Sequence, residues 1–457
     1  MSKRVFGVAV LVAALVTGSS AHAAPTDYYI RLGGTGTESG ADWDNALPSI
    51  DAAWETMDGE NNDGYNFYVE KTTGAQSHGH VANNNYDRLY NDELKLNHYG
   101  GLTPTGTTSY VKNPGDVTRV VSTDPDEPAF RVSKRIAVGE PYYGVGGYYC
   151  RSFHVRFDDM VIEGGDNMGA VLFNAVAGNH NHVSLTANRA QFIGGASNTT
   201  LPVVAISPMA STPGESATAS RADIIMDRVL VYRGEIGIQA QAKAGGSNKG
   251  DSVYDLKNVA VVNTGSYGLY AKGNNYSGWD TDADVTLDHV TFNDCDVAVR
   301  IGDAADDTSP FTQNTLTMNH VLVFLDNEAG GYVIRHEEQD AGRDLLVTGG
   351  LNAFFGYLGV TNGTDYIDLT GYAAYVEDAS GDPGLGADGY HLVGSSDARI
   401  IDAYIGGTLL YDIDGEVRMM GKGWDIGADE LLPPPVPEPA ALSLLGLAML
   451  GLRRKRR

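Results

Sequence analysis

One short segment recurs six times between residues 157 and 323, and nothing else in the chain restricts its fold as strongly. The copies are Phe157–Ile162, Ala187–Phe192, Met226–Val231, Leu256–Val261, Leu287–Phe292 and Met318–Val323. Anchored on the second of two central turn residues (159, 189, 228, 258, 289 and 320), they step by 30, 39, 30, 31 and 31 residues. The long step contains the Ser/Thr/Pro/Gly-rich stretch 207–220, which reads as a loop insertion. Each unit alternates apolar and polar residues, turns on two polar residues and alternates again. A third short strand follows about ten residues later, as in Gly237–Gln241, Gly268–Lys272, Val297–Arg300 and Tyr332–Arg335. Three short strands per fixed step, with no helical period, predict a right-handed parallel β-helix whose rungs stack about 4.8 Å apart. The alternative is a β-propeller, whose four-stranded blades repeat at a longer period of roughly 40–50 residues.

A solenoid exposes core and strand edges at its ends and so needs caps. At the N-terminal side, Tyr28–Ile30 reads as a strand and 33–40 as a glycine-rich loop. Asp44–Met57 reads as a helix with Leu47, Ile50, Ala53, Trp54 and Met57 on one face. With Trp43 and Ala46 before it, this opening resembles that of many bacterial right-handed β-helix proteins. At the other side stand Ala398–Ala403, Asp412–Arg418 and Asp425–Glu430. These residues resemble the segment called choice-of-anchor Q, which precedes various sorting signals. Neither resemblance implies a reaction.

Both ends of the chain read as export signals. Lys3 and Arg4, the uncharged run Val5–Val16 and Ala21-His22-Ala23 form a signal peptide over 1–24 with a signal peptidase site. Pro433–Pro435 make a stiff spacer, followed by Pro437-Glu438-Pro439, the apolar stretch Ala440–Leu452 and the basic end Arg453–Arg457. Motif, apolar helix and basic end resemble the PEP-CTERM sorting signal. That resemblance implies an exosortase-type partner, transient anchoring in the inner membrane through the tail, and a cell-surface or extracellular body. The expected divisions are 25–130 for the N-terminal cap and first rungs, 131–356 for the β-helix repeats and 357–430 for the C-terminal rungs and cap. A spacer over 431–435 and a sorting tail over 436–457 complete the chain.

The whole chain carries a net charge of −26. Without the two ends, 25 basic residues face 57 acidic ones, a net −32. Such a body does not bind nucleic acid through its phosphates. The two cysteines, Cys150 and Cys295, fall on distant rungs and read as buried thiols.

Against this acidic background a basic column stands out. With Ile238, Ala240, Leu269, Ala271, Val297, Val299, Tyr332 and Ile334 inward, Gln241, Lys272, Arg300 and Arg335 take outward positions on successive rungs. Stacked cations repel unless anions lie between them. Glu337, Glu338 and Asp303 are internal candidates, and an anionic ligand is the external one. Tyr270 and Trp279 are nearby rings for sugar stacking. The expected ligand is an acidic extracellular polysaccharide, bound and, if the column is catalytic, cleaved as by a polysaccharide lyase or glycoside hydrolase. For β-elimination, one cation neutralises the uronate and Lys272, Arg300, Arg335, Tyr270 or His336 removes a proton. The alternative is a non-catalytic structural or adhesive protein of the envelope or matrix.

His289 and His320 share one turn position beside Asp288 and Asn319. They read as a polar turn ladder rather than a metal site. Asp280-Thr281-Asp282-Ala283-Asp284 is a candidate surface calcium loop, although Val285 stands where an EF-hand needs glycine. No other cofactor is expected.

Overall fold

The computed structural model describes residues 24–431 except 58–63, 75, 81–92, 135–151, 178–180, 208, 211–219, 243–248, 272–279, 303–313, 326–330, 337–344, 363–366, 405–408 and 419–422. The chain is a parallel β-helix built of three strand ladders.

The first ladder runs from Thr26–Ile30 through Tyr65–Glu70, Glu93–Pro104 and Ser152–Asp158 to Asn181–Ile193. It continues through Ser220–Ala240, Lys249–Ala271, Asp280–Asn293, Asn314–Asn319 and Leu345–Phe355 to Ile367–Asp378. The second ladder begins at His78–His80, Thr118–Ser122 and Met160–Glu163 and joins the later halves of the same long strands. The third passes from Phe130–Lys134 through Val171–Ala177, Pro202–Ile206, Val297–Ile301 and Tyr332–His336 to Gly359–Asn362. Among the described strands, only the pairing of Glu93–Pro104 with Tyr110–Lys112 is antiparallel. This rules out the propeller, whose blades are antiparallel throughout.

Alternation explains the core. Phe157, Ala187, Met226, Leu256, Leu287 and Met318 stack in register on six rungs, each at most 1% exposed. On the second ladder Ile162, Phe192, Val231, Val261, Phe292, Val323 and Phe354 do the same, all fully buried. Each rung thus buries its apolar face on its neighbours.

The repeat's turn residue has a single conformation. Asp159, Arg189, Arg228, Asn258, His289 and His320 all have φ between 50° and 56°. This left-handed turn redirects the chain from the first ladder to the second. For a side-chain-bearing residue it costs about 1–2 kcal/mol, and Asn, Asp and His tolerate it best.

The N-terminal helix is shorter than its periodicity predicts. A 3-10 turn, Trp43–Asn45, and an α-helix, Ile50–Thr56, replace the single helix over Asp44–Met57. Between them Ala46 is extended, Pro48 intervenes, and the Ser49 side chain accepts from the Ala52 amide as a fresh N-cap. The expected apolar face is nonetheless buried: Leu47, Ile50, Ala53, Trp54 and Met57. The Trp54 indole donates to Nε2 of buried His98 at 3.1 Å. Cys295 is buried, and burial pushes its thiol up to about 12, so it is inert. Cys150 lies outside the described residues.

Candidate functional site

The third ladder sets the register of the basic column. Arg300 pairs with Arg335 on the next rung, as the alternation predicts. On the preceding rung, however, Arg300 pairs with Tyr270, and Ala271 with Ile301. The column therefore reads Gln239, Tyr270, Arg300, Arg335, Asn362. The position expected for Lys272 beside Arg300 is held by Tyr270, and Lys272 lies outside the described residues with Trp279, Asp303, Glu337 and Glu338. The physical reason is a change of step. The expected match of Lys272 with Arg300 takes a step of 28, while Leu269 pairs with Val299, a step of 30. A two-residue slip of the alignment preserves which side chains face out, so alternation alone does not reveal it.

Two rings hold the Arg300 guanidinium. It lies 4.4 Å from the centroid of Tyr270 and 4.7 Å from that of Tyr267, and donates to the Tyr267 hydroxyl at 2.6 Å. Such cation–π contacts are worth about 0.5–2 kcal/mol each. Tyr270 is only 5% exposed, so it supports Arg300 rather than offering a face to a sugar. Tyr267, half-buried, was not singled out by the sequence, because its link to Arg300 spans two rungs. His336 pairs with Ile301 and is buried, which removes it from the outward face where a proton-abstracting group belongs.

A second polar assembly lies along the turn ladder. Arg189 binds Asp159 on the previous rung through two bonds of 2.6 and 2.7 Å, and Lys112 contacts the same carboxylate. Arg228 donates to Asn188 at 3.0 Å, and Asn258 to Asp227 at 3.0 Å. Farther along, Nδ1 of His289 and Nδ1 of His320 meet the same Asp288 oxygen at 2.8 and 3.0 Å. The C-terminal segment closes over this ladder. The Tyr404 hydroxyl contacts Nε2 of His289, and the Tyr404 ring stacks on His320 at 4.0 Å. Arg418, 2% exposed, donates to Asn258 at 2.8 Å and to the Gly427 and Ala428 carbonyls. The Ala428 amide in turn donates to Thr291.

Three ligand atoms from Asp288, His289 and His320 lie within 4.8 Å of one another, a spacing that suits a metal. The hydrogen bonds favour the ladder reading. Asp288 serves both imidazoles through one oxygen, and the second nitrogen of His289 is engaged by Tyr404. Residues 280–284, the candidate calcium loop, belong to the strand Asp280–Asn293 and pair along their length with 249–253.

Burial forces His289 to stay neutral, holding its pKa at about 3 against an ordinary 6.5. Burial also resists ionisation of Asp288, but the two imidazole hydrogen bonds outweigh it and hold that carboxyl well below the usual range. Both depressed values act in one direction. The stability from His289 is present above its ordinary 6.5 and is lost as pH falls toward about 3. Denaturation midpoints measured from pH 7.5 to 4.5 should therefore fall, and His289→Gln should flatten the slope. An unchanged slope in the variant would remove His289 as its source.

Comparison with known proteins speaks to the C-terminal end. Residues 435–457 match the PEP-CTERM protein-sorting motif. The chain thus carries the sorting signal of an exported, exosortase-handled protein. No curated protein and no solved structure matches it. Among the described residues no helix is long and apolar enough to cross a membrane. The apolar stretch Ala440–Leu452 and the expected signal peptide, apart from Ala24, lie outside those residues.

Proposed function

We propose that this exported β-helix, sorted to the cell surface or released from it, binds an acidic extracellular polysaccharide through the Arg300–Arg335 column. The observation that carries the reading is the register itself, which sets two arginines side by side on adjacent rungs. Their strands lie about 4.8 Å apart, and like charges at that spacing favour a shared anion. Guanidinium forks match carboxylates in a bidentate manner. A polymer that repeats such groups would engage both arginines, with Tyr267 fixing the first. The C-terminal segment resembling choice-of-anchor Q is read as a strap that closes the solenoid beside the sorting tail.

The test is retention of the protein on a panel of acidic and neutral glycans. Retention on uronate polymers that weakens with salt is expected; failure on every acidic glycan overturns the reading. Ultraviolet absorbance of unsaturated products separates binding from lyase activity. The second reading, a non-catalytic structural or adhesive protein, is favoured by the cross-rung polar ladder, which stiffens the body without serving a ligand. It predicts no glycan-class preference.

A further inference from the structure

We propose that the C-terminal strap holds a divalent-cation site formed by His391, Asp414 and Asp429, suited to Zn2+ or Mn2+ rather than Ca2+. One ligand atom of each residue lies within 4.8 Å of the others, although the three come from separate segments of the strap.

The imidazole is oriented as a metal-bound histidine would be. Asp388 accepts from the amides of Tyr390 and His391 through Oδ1, while its Oδ2 contacts Nδ1 of the same His391. A carboxylate on one ring nitrogen fixes the ring and makes the other nitrogen a better ligand. That other nitrogen, Nε2, faces Oδ2 of Asp414 at 2.5 Å. Asp429, 4% exposed, is anchored by the Leu392 amide through Oδ2 alone.

A buried carboxylate stands two residues from Asp414 in the same turn. Asp412 is fully buried, and its Oδ1 accepts from the amides of Asp414 and Glu416. Among the described residues its Oδ2 has no hydrogen-bond partner. Asp388 and Asp414 each hold one nitrogen of the His391 imidazole, and an Asp429 oxygen lies within 4.8 Å of it. The hydrogen bond between Nε2 and Oδ2 of Asp414 places a proton between them. A divalent ion would replace that proton, which leaves for the buffer, and would put more positive charge among the carboxylates. One nitrogen with carboxylate oxygens is a donor set for Zn2+ or Mn2+, whereas Ca2+ prefers oxygen alone.

The experiment is calorimetric titration of chelator-stripped full-length protein with Zn2+, Mn2+ and Ca2+ in buffers of different ionisation enthalpy. One saturable Zn2+ or Mn2+ site with proton release is expected. His391→Gln should abolish it. Asp388→Asn should weaken it by about 10–100-fold, as loss of an orienting carboxylate does. Asp414→Asn, at an exposed turn, should weaken it strongly without disturbing the fold, so the test holds even where His391→Gln misfolds. The proposal is overturned by no saturable binding, by Ca2+ binding as tightly, or by unchanged affinity in Asp414→Asn.

Discussion

Arg418→Ala is expected to destabilise the protein by about 3–5 kcal/mol, the usual effect of removing one partner from a buried charged network. The Arg418 side chain is wholly buried and faces the Glu430 carboxylate at 3.7 Å. It also donates to Asn258, 160 residues earlier, and to the carbonyls of Gly427 and Ala428. Truncation leaves all of these without that partner inside a packed interface. Lysine should not rescue the loss, because an ammonium is a point charge and this site uses the planar fork. Denaturation midpoints measure the effect, and hydrogen exchange locates it: protection should fall first in 398–430 and at Asn258. A loss under about 1 kcal/mol would mean that the strap is held mainly by its apolar contacts.

Phe292→Ala should cost about as much, about 3–5 kcal/mol, through the cavity it opens. Phe292 is fully buried between Val261 and Val323 in the second ladder. It lies close against Gly268, where an added Cβ would meet its ring at 2.4 Å. That close approach leaves the site little freedom to collapse around an alanine. Because rungs touch only their neighbours, the loss of exchange protection should centre on 253–262 and 314–324 and fade toward Tyr65–Glu70. Uniform loss along the chain would show that the solenoid unfolds as one block.

The ladders were legible because their cause is local. Alternation marks inward residues, and the turn pair between the first two strands has constant length, so Asp158, Asn188, Asp227, Lys257, Asp288 and Asn319 fall in register. The third strand was harder to place. Its connection varies in length, with 7 positions from Val231 to Ile238, 8 from Val261 to Leu269 and 11 from Val323 to Ile334, so alternation finds the pair Arg300 and Arg335 but puts Lys272 where Tyr270 stands. The strap was legible as motifs but not as contacts. Tyr404 on His289 and Arg418 on Asn258 join residues more than a hundred positions apart. No periodicity encodes such pairs. For the same reason the cluster at His391 was invisible, since it draws one residue from each of three segments.

The central functional claim is most directly tested by titrating a soluble uronate polymer into the wild-type protein and into the Arg300→Ala/Arg335→Ala double variant at low salt. The account predicts saturable binding to the wild type, a loss of at least about tenfold in the variant, equivalent to about 1.4 kcal/mol, and unchanged denaturation midpoints. Equal affinity in the two proteins, with the fold intact, would contradict it.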